Sequence, residues 1–193
     1  MSPFNTMTQY NKQLLYPAIC EVCYMPDDTY VYPIFKNASS SIRATSKRSI
    51  VNAQINRHAD TVIVYWREAK QRYRTGVTTY LQHHRHLDEN TIKVLINNGE
   101  LVNRHFMPQY MWLCHLALYY DGDIILKEFS EVNTDTHKNI TKHKTTINVD
   151  TDWNCIDNLI FHKFKNKVCK FTDIQEYLKQ EHKVLWKNYI AQG

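Results

Sequence analysis

The stretch Thr29-Tyr-Val-Tyr-Pro-Ile-Phe35-Lys36-Asn37-Ala38-Ser39-Ser40-Ser41-Ile42-Arg43 decides how this chain is read. An apolar, β-rich run over residues 29–35 ends at Phe35, and one lysine follows. A cluster of small hydroxyl residues then opens what reads as a helix over residues 40–56. A strand feeding a helix through such a loop makes an anion site. The first helical N–H groups lack intrahelical partners, the dipole is positive there, and small side chains admit an oxyanion. Lys36 adds a full charge, and Ser39, Ser40 and Ser41 add hydroxyls. The same residues also read as an ordinary serine N-cap.

Outward from this loop, Thr61-Val-Ile-Val-Tyr-Trp66 is a continuous β-branched and aromatic run, the pattern of a buried parallel strand. A helix is expected from Glu68 to Gln82. Strand, helix, strand, helix in this order specifies a parallel sheet with a right-handed crossover. Further helices are expected at Glu89–Asn97 and, opened by Pro108, at Gln109–Tyr119. A third strand is expected at Asp123–Phe129, a polar loop over 130–151, and closing helices at Trp153–Asn166 and Thr172–Ala191. Residues 1–28 read as an irregular lead-in. The expectation is one α/β domain over residues 1–193.

Composition narrows the function. The chain holds only four glycines, Gly76, Gly99, Gly122 and Gly193, so neither a Walker A loop nor a GxGxxG dinucleotide loop can be written in it. No apolar run approaches a membrane span, and the N-terminus lacks a signal peptide's basic start and apolar run. Five cysteines, an odd number without an export signal, point to reduced thiols and a cytoplasmic setting. Cys20-x-x-Cys23 has no second cysteine pair to complete a zinc site, so no metal is expected. Net charge is +5, but residues 36–85 carry ten Lys/Arg against two acids, or +8. That concentration suits a polyanionic ligand, an acidic substrate or nucleic acid.

A second anion element follows the second strand: Arg67-Glu-Ala-Lys-Gln-Arg72-Tyr-Arg-Thr75-Gly76. Arg67 stands at the carboxyl end of a central strand, where α/β sheets place ligands. Guanidinium forks hold phosphate oxygens in pairs, and a nearby hydroxyl completes the cage. Two anion sites on adjacent strand ends suit one ligand with two separated anionic groups.

These residues resemble those of sulfotransferases that use 3′-phosphoadenosine 5′-phosphosulfate, in particular the carbohydrate, Golgi-type group. Lys36-Asn-Ala-Ser-Ser-Ser-Ile42 looks like the family's 5′-phosphosulfate loop. Arg67 to Gly76 is similar to its 3′-phosphate element, R-D-P-x-x-R-F-x-S-G. His105-Phe-Met-Pro-Gln109, ahead of Tyr119-Tyr-Asp121 and Ile124–Phe129, resembles its H-[WF]-x-P-Q block and following strand. The matches run in order over residues 29–131. Ala69, Glu68 and Phe35 depart from the family's proline, aspartate and proline.

The resemblance implies a P-loop-like three-layer α/β/α fold with a central parallel sheet. It implies sulfuryl transfer without a metal to an acceptor hydroxyl, on a carbohydrate or a small molecule. Lys36 would meet the bridging oxygen of the donor, and Asn37, Ala38, Ser39, Ser40, Ser41 and Ile42 would wrap its 5′-phosphate. Arg67 and Thr75 would hold the 3′-phosphate, Thr75 standing where the family has serine. His105 is the expected base, with His58, Glu128 and Glu131 as alternatives. The family's membrane anchor is missing, which implies a soluble microbial or viral version. Two rival readings are a basic module for single-stranded nucleic acid, with Tyr65, Trp66, Tyr73 and Tyr80 interleaved, and a sulfotransferase-like protein without activity.

Overall fold

The structure is a computed structural model and describes residues 16–84, 88–97, 101, 103–132 and 153–187. Its centre is a six-stranded mixed sheet flanked by helices, in the strand order β3-β1-β2-β4-β5-β6. The strands are β1 (Glu21–Tyr24), β2 (Tyr30–Val31), β3 (Arg48–Val51), β4 (Thr61–Trp66), β5 (Asp123–Glu128) and β6 (Val168–Cys169). The main helices are α1 (Ser39–Thr45), α2 (Ile55–His58), α3 (Ala69–His83), α4 (Glu89–Asn97), α5 (Gln109–Ala117), α6 (Trp153–Phe164) and α7 (Phe171–Glu181).

The middle of the sheet is parallel, β2 beside β4 and β4 beside β5. Its edges are not. β1 pairs antiparallel with both β2 and β3, and β6 runs antiparallel to β5, so the expectation of a parallel sheet holds only for the centre. The short Met25–Thr29 turn explains the first exception, since so few residues can join only antiparallel strands. β2 is brief because Pro33 has no N–H for the ladder, though Tyr32 N–H still reaches Ile63 O at 2.9 Å.

Three sequence expectations are corrected. The helix expected over 40–56 stops at Thr45. There Thr45 turns its hydroxyl back onto Ser41 O and Ile42 O, and Ser46 does the same to Arg43 O. The β-branched Ile50–Val51 then forms an edge strand on β1. Residues 21–24, read as irregular, are β1 itself. At the other end, the expected Thr172–Ala191 helix breaks at His182, and its part beyond Lys187 lies outside the described residues, as does the expected polar loop after Val132.

Both faces of β4 are covered. Val62, Val64 and Trp66 join the main core with Trp112 and Leu113 of α5, Ile156 and Ile160 of α6, and Ile174 of α7. Ile63 joins a smaller cluster with Cys23, Val31 and Ile42 of α1. This alternation is why the strand reads as one unbroken apolar run. Cys20 and Cys23 follow the same rule. They fall in different clusters, and burial pushes their thiols up to about 12 and about 11. Among the described residues no group of three His, Cys, Asp or Glu could hold a metal, and no helix is long and apolar enough to cross a membrane.

Candidate functional site

The loop from Phe35 to Ala38 bends the chain from β2 into α1 through two left-handed residues, Lys36 at φ 70° and Ala38 at φ 59°. Neither is glycine, so each holds this conformation at a cost of about 1–2 kcal/mol. Asn37 between them has no positive φ, and its N–H is taken by Ile34 O at 3.0 Å. Ala38 is the N-cap of α1 and supplies no side-chain bond, so the serine-cap reading is corrected: the serines occupy the first turn. α1 has only seven residues, and its dipole is correspondingly small. Charge at the site comes from side chains.

Those side chains line one cavity of about 400 Å³. Among the described residues, Lys36, Arg43 and Arg67 are its charged lining, with Ser39, Ser40, Ser41, His105 and Phe129 beside them and no carboxylate. Lys36 Nζ donates to Thr79 Oγ1 on α3 at 2.6 Å, and Arg67 Nη1 donates to Lys36 O at 3.0 Å. The Arg67 guanidinium also lies over the Phe129 ring, 5.2 Å from its centre. Burial first, then neighbouring Arg67 and Arg72, holds the Lys36 ammonium below its usual range. Arg43 is paired with Glu21 at 2.5 Å, which leaves Lys36 and Arg67 as the cavity's charge without a carboxylate among its described lining residues, a positive field that an anion relieves.

His105 faces the same cavity. Its ring sits 5.6 Å from Phe35 and 6.3 Å from His83, and its Nδ1 is buried without a hydrogen-bond partner among the described residues. Burial, then the charges of Lys36 and Arg104, pushes the imidazole down to about 4. It is therefore unprotonated at neutral pH and free to accept a proton. Gly76 makes this placement possible: a Cβ there would stand 2.2 Å from His105 O. The glycine that closes the Arg67–Gly76 motif is thus a close-approach position between α3 and the His105 segment.

The other residues of the motif have structural roles that explain its departures. Glu68 caps α3, accepting from Lys70 N at 2.9 Å and Gln71 N at 2.6 Å, a task aspartate also performs. Ala69 takes the first helical position, where proline is favoured but not needed. Arg72 is 2 % exposed and ties Phe35 O to Met107 O, so it joins the loop to the His105 segment and does not face a ligand.

Gln109, 0 % exposed, organises the site from within the Pro-Gln pair of the third motif. Its Oε1 accepts from Asn37 Nδ2 at 2.6 Å and from Arg67 N at 3.0 Å, while its Nε2 donates to Arg67 O at 2.8 Å. One amide holds both strand tips. Asp157 of α6 anchors it from behind by accepting Gln109 N at 2.7 Å and Tyr110 N at 2.9 Å.

The structure places the remaining expected residues as follows. Asn37 is 1 % exposed and its amide serves Tyr65 O and Gln109, while its N–H is taken by Ile34 O. Ile42 is in the core. Thr75 lies outside the cavity and donates its hydroxyl to Gln71 O. His58 is exposed at the end of α2, and Glu128 is paired with Lys165. In comparisons with protein-family models, curated proteins and solved structures, nothing matches this chain.

Proposed function

We propose that this chain binds 3′-phosphoadenosine 5′-phosphosulfate and transfers its sulfuryl group to an acceptor hydroxyl. The observation that carries the reading is the shared cavity: Lys36, Arg67 and His105, drawn from three sequence blocks, line one space with no carboxylate among the described residues. On this reading the chain is a three-layer, P-loop-like α/β/α domain working in the cytoplasm, and its mixed sheet edges are additions to that plan.

The donor supplies an activated sulfur with phosphate as leaving group. The chain's part is positioning and charge. Lys36 and the open N–H groups at Ala38, Ser39 and Ser40 neutralise the 5′-phosphate end. Arg67 takes the 3′-phosphate, and Thr75 joins it by releasing Gln71. The unprotonated His105 receives the acceptor's proton, and an anionic donor that offsets the surrounding cations raises its basicity as the site fills.

Thermal unfolding with the desulfated product, 3′-phosphoadenosine 5′-phosphate, tests this. At about 100 times its Kd the nucleotide stabilises the fold by about 2.7 kcal/mol, a rise of roughly 5–10 °C. Lys36→Ala and Arg67→Ala each abolish that rise. Indifference to the nucleotide, together with salt-sensitive oligonucleotide binding, refutes the proposal in favour of a nucleic-acid module. Binding without any transfer from labelled donor marks an inactive relative.

A further inference from the structure

A second cavity, of about 280 Å³, adjoins the first and shares Phe35 and Arg43 with it. Tyr32, Pro33 and Trp112 are among its walls, so it is chiefly aromatic and apolar. Phe35 stands at the boundary, its ring 5.6 Å from His105 on one side and 5.1 Å from Trp112 on the other. We propose that this second cavity is the acceptor subsite and that it takes an uncharged aromatic hydroxyl compound, a phenol of one or two rings. The assignment of an acceptor rests on the sulfuryl-transfer reading above.

Three features support the choice of acceptor. Among the described lining residues the one carboxylate and the one guanidinium, Glu21 and Arg43, are paired with each other, so these walls present no net charge to attract an acidic glycan. Its other polar groups are also engaged: Tyr32 Oη and His115 Nδ1 share a 2.9 Å hydrogen bond, and Glu21 accepts from Ser49. A saccharide would bury many hydroxyls where few partners remain, and each unpaired hydroxyl is penalised. Trp112, a wall residue, also carries a buried indole N–H with no partner among the described residues, a donor that a single ligand oxygen could satisfy. The volume lies at the small end of ligand sites, matching one or two rings.

The chemistry agrees. The phenolic oxygen attacks sulfur and forms the new S–O bond, and the bond from sulfur to the bridging oxygen breaks. The electron pair leaves on the 5′-phosphate beside Lys36, and the phenolic proton passes to the His105 imidazole. A phenol ionises near pH 10, far more readily than a sugar hydroxyl, so it asks less of a weakly basic imidazole.

Calorimetric titration of the full chain with 2-naphthol and with N-acetylglucosamine, each with and without 3′-phosphoadenosine 5′-phosphate, tests the inference. Saturable naphthol binding is expected, weakened about tenfold or more by Val51→Phe, which narrows the cavity from the edge strand. Ile19→Asp, at an exposed lining position where folding is not at risk, should weaken it similarly. Lys36→Ala should leave naphthol binding intact, and naphthyl sulfate should appear with the full donor. Nucleotide binding without naphthol binding, or naphthol binding that ignores both variants, overturns this inference and leaves the transfer reading standing. Saturable binding of the sugar in place of naphthol also overturns it. Naphthol binding without nucleotide binding overturns the transfer reading and the acceptor role with it.

Discussion

Replacing Gln109 by methionine removes one amide and keeps the volume. The structure sets the expected penalty. Arg67 loses a partner for both N–H and C=O, and the Asn37 amide loses one of its two acceptors, keeping Tyr65 O. Asp157 keeps its two backbone donors. A buried polar group left unpaired costs about 1–3 kcal/mol, and Arg67 is only part-buried, so water recovers some of the loss. About two groups' worth remains, roughly 2–5 kcal/mol, which for a chain of this size lowers Tm by about 5–15 °C. The same change frees the two strand tips from each other. Affinity for 3′-phosphoadenosine 5′-phosphate should therefore fall beyond what lost stability explains, as read by calorimetry at a temperature where the variant is fully folded. A Gln109→Met protein that melts within about 2 °C of wild type and binds nucleotide normally would refute the role given to this amide.

Three further outcomes are expected. Gly76→Ala forces α3 away from His105 and should destabilise by at least about 2 kcal/mol in urea unfolding; a wild-type midpoint would mean the two segments do not touch. His105 has a folded-state pKa of about 4 against an ordinary 6.5, so the unfolded chain binds the proton first. Its contribution to stability is complete above pH 6.5 and is lost as pH falls toward 4. Because the residue is only partly buried, this amounts to about 1–2 kcal/mol, and His105→Gln should flatten that part of the pH profile of urea midpoints. Cys20 and Cys23, buried with raised pKa values, should resist a disulfide reagent at pH 8 in the native state and react at once in urea, by mass mapping.

The parallel centre of the sheet was legible because its strands obey simple rules. Thr61–Trp66 is buried on both faces and therefore apolar throughout, and Asp123–Glu128 lies beside it in register. The edge strands were not legible because their partners are distant in sequence: nothing local says that Arg48–Val51 must pair with Glu21–Tyr24. At the site, charge and loop chemistry pointed to Lys36 and Arg67. In the sequence Arg72 reads as an anion-binding guanidinium and Gln109 only as part of a loop motif, whereas both tie buried backbone together, and Asp157 escaped altogether because a buried hydrogen-bond hub leaves no periodic trace. Asn37 shows the converse. Its place in the loop suggested contact with a ligand, yet its side chain faces inward to hold the loop.

The two left-handed residues that are not glycine have a kinetic consequence. A glycine-rich anion loop samples many shapes when empty and settles when its guest arrives. Here the side chains of Lys36 and Ala38 deny the backbone most of those shapes, and Asn37 and Arg72 pin it from below. The hollow is carved before any anion reaches it, so capture requires little rearrangement and its rate should follow encounter, rising steeply as salt is withdrawn.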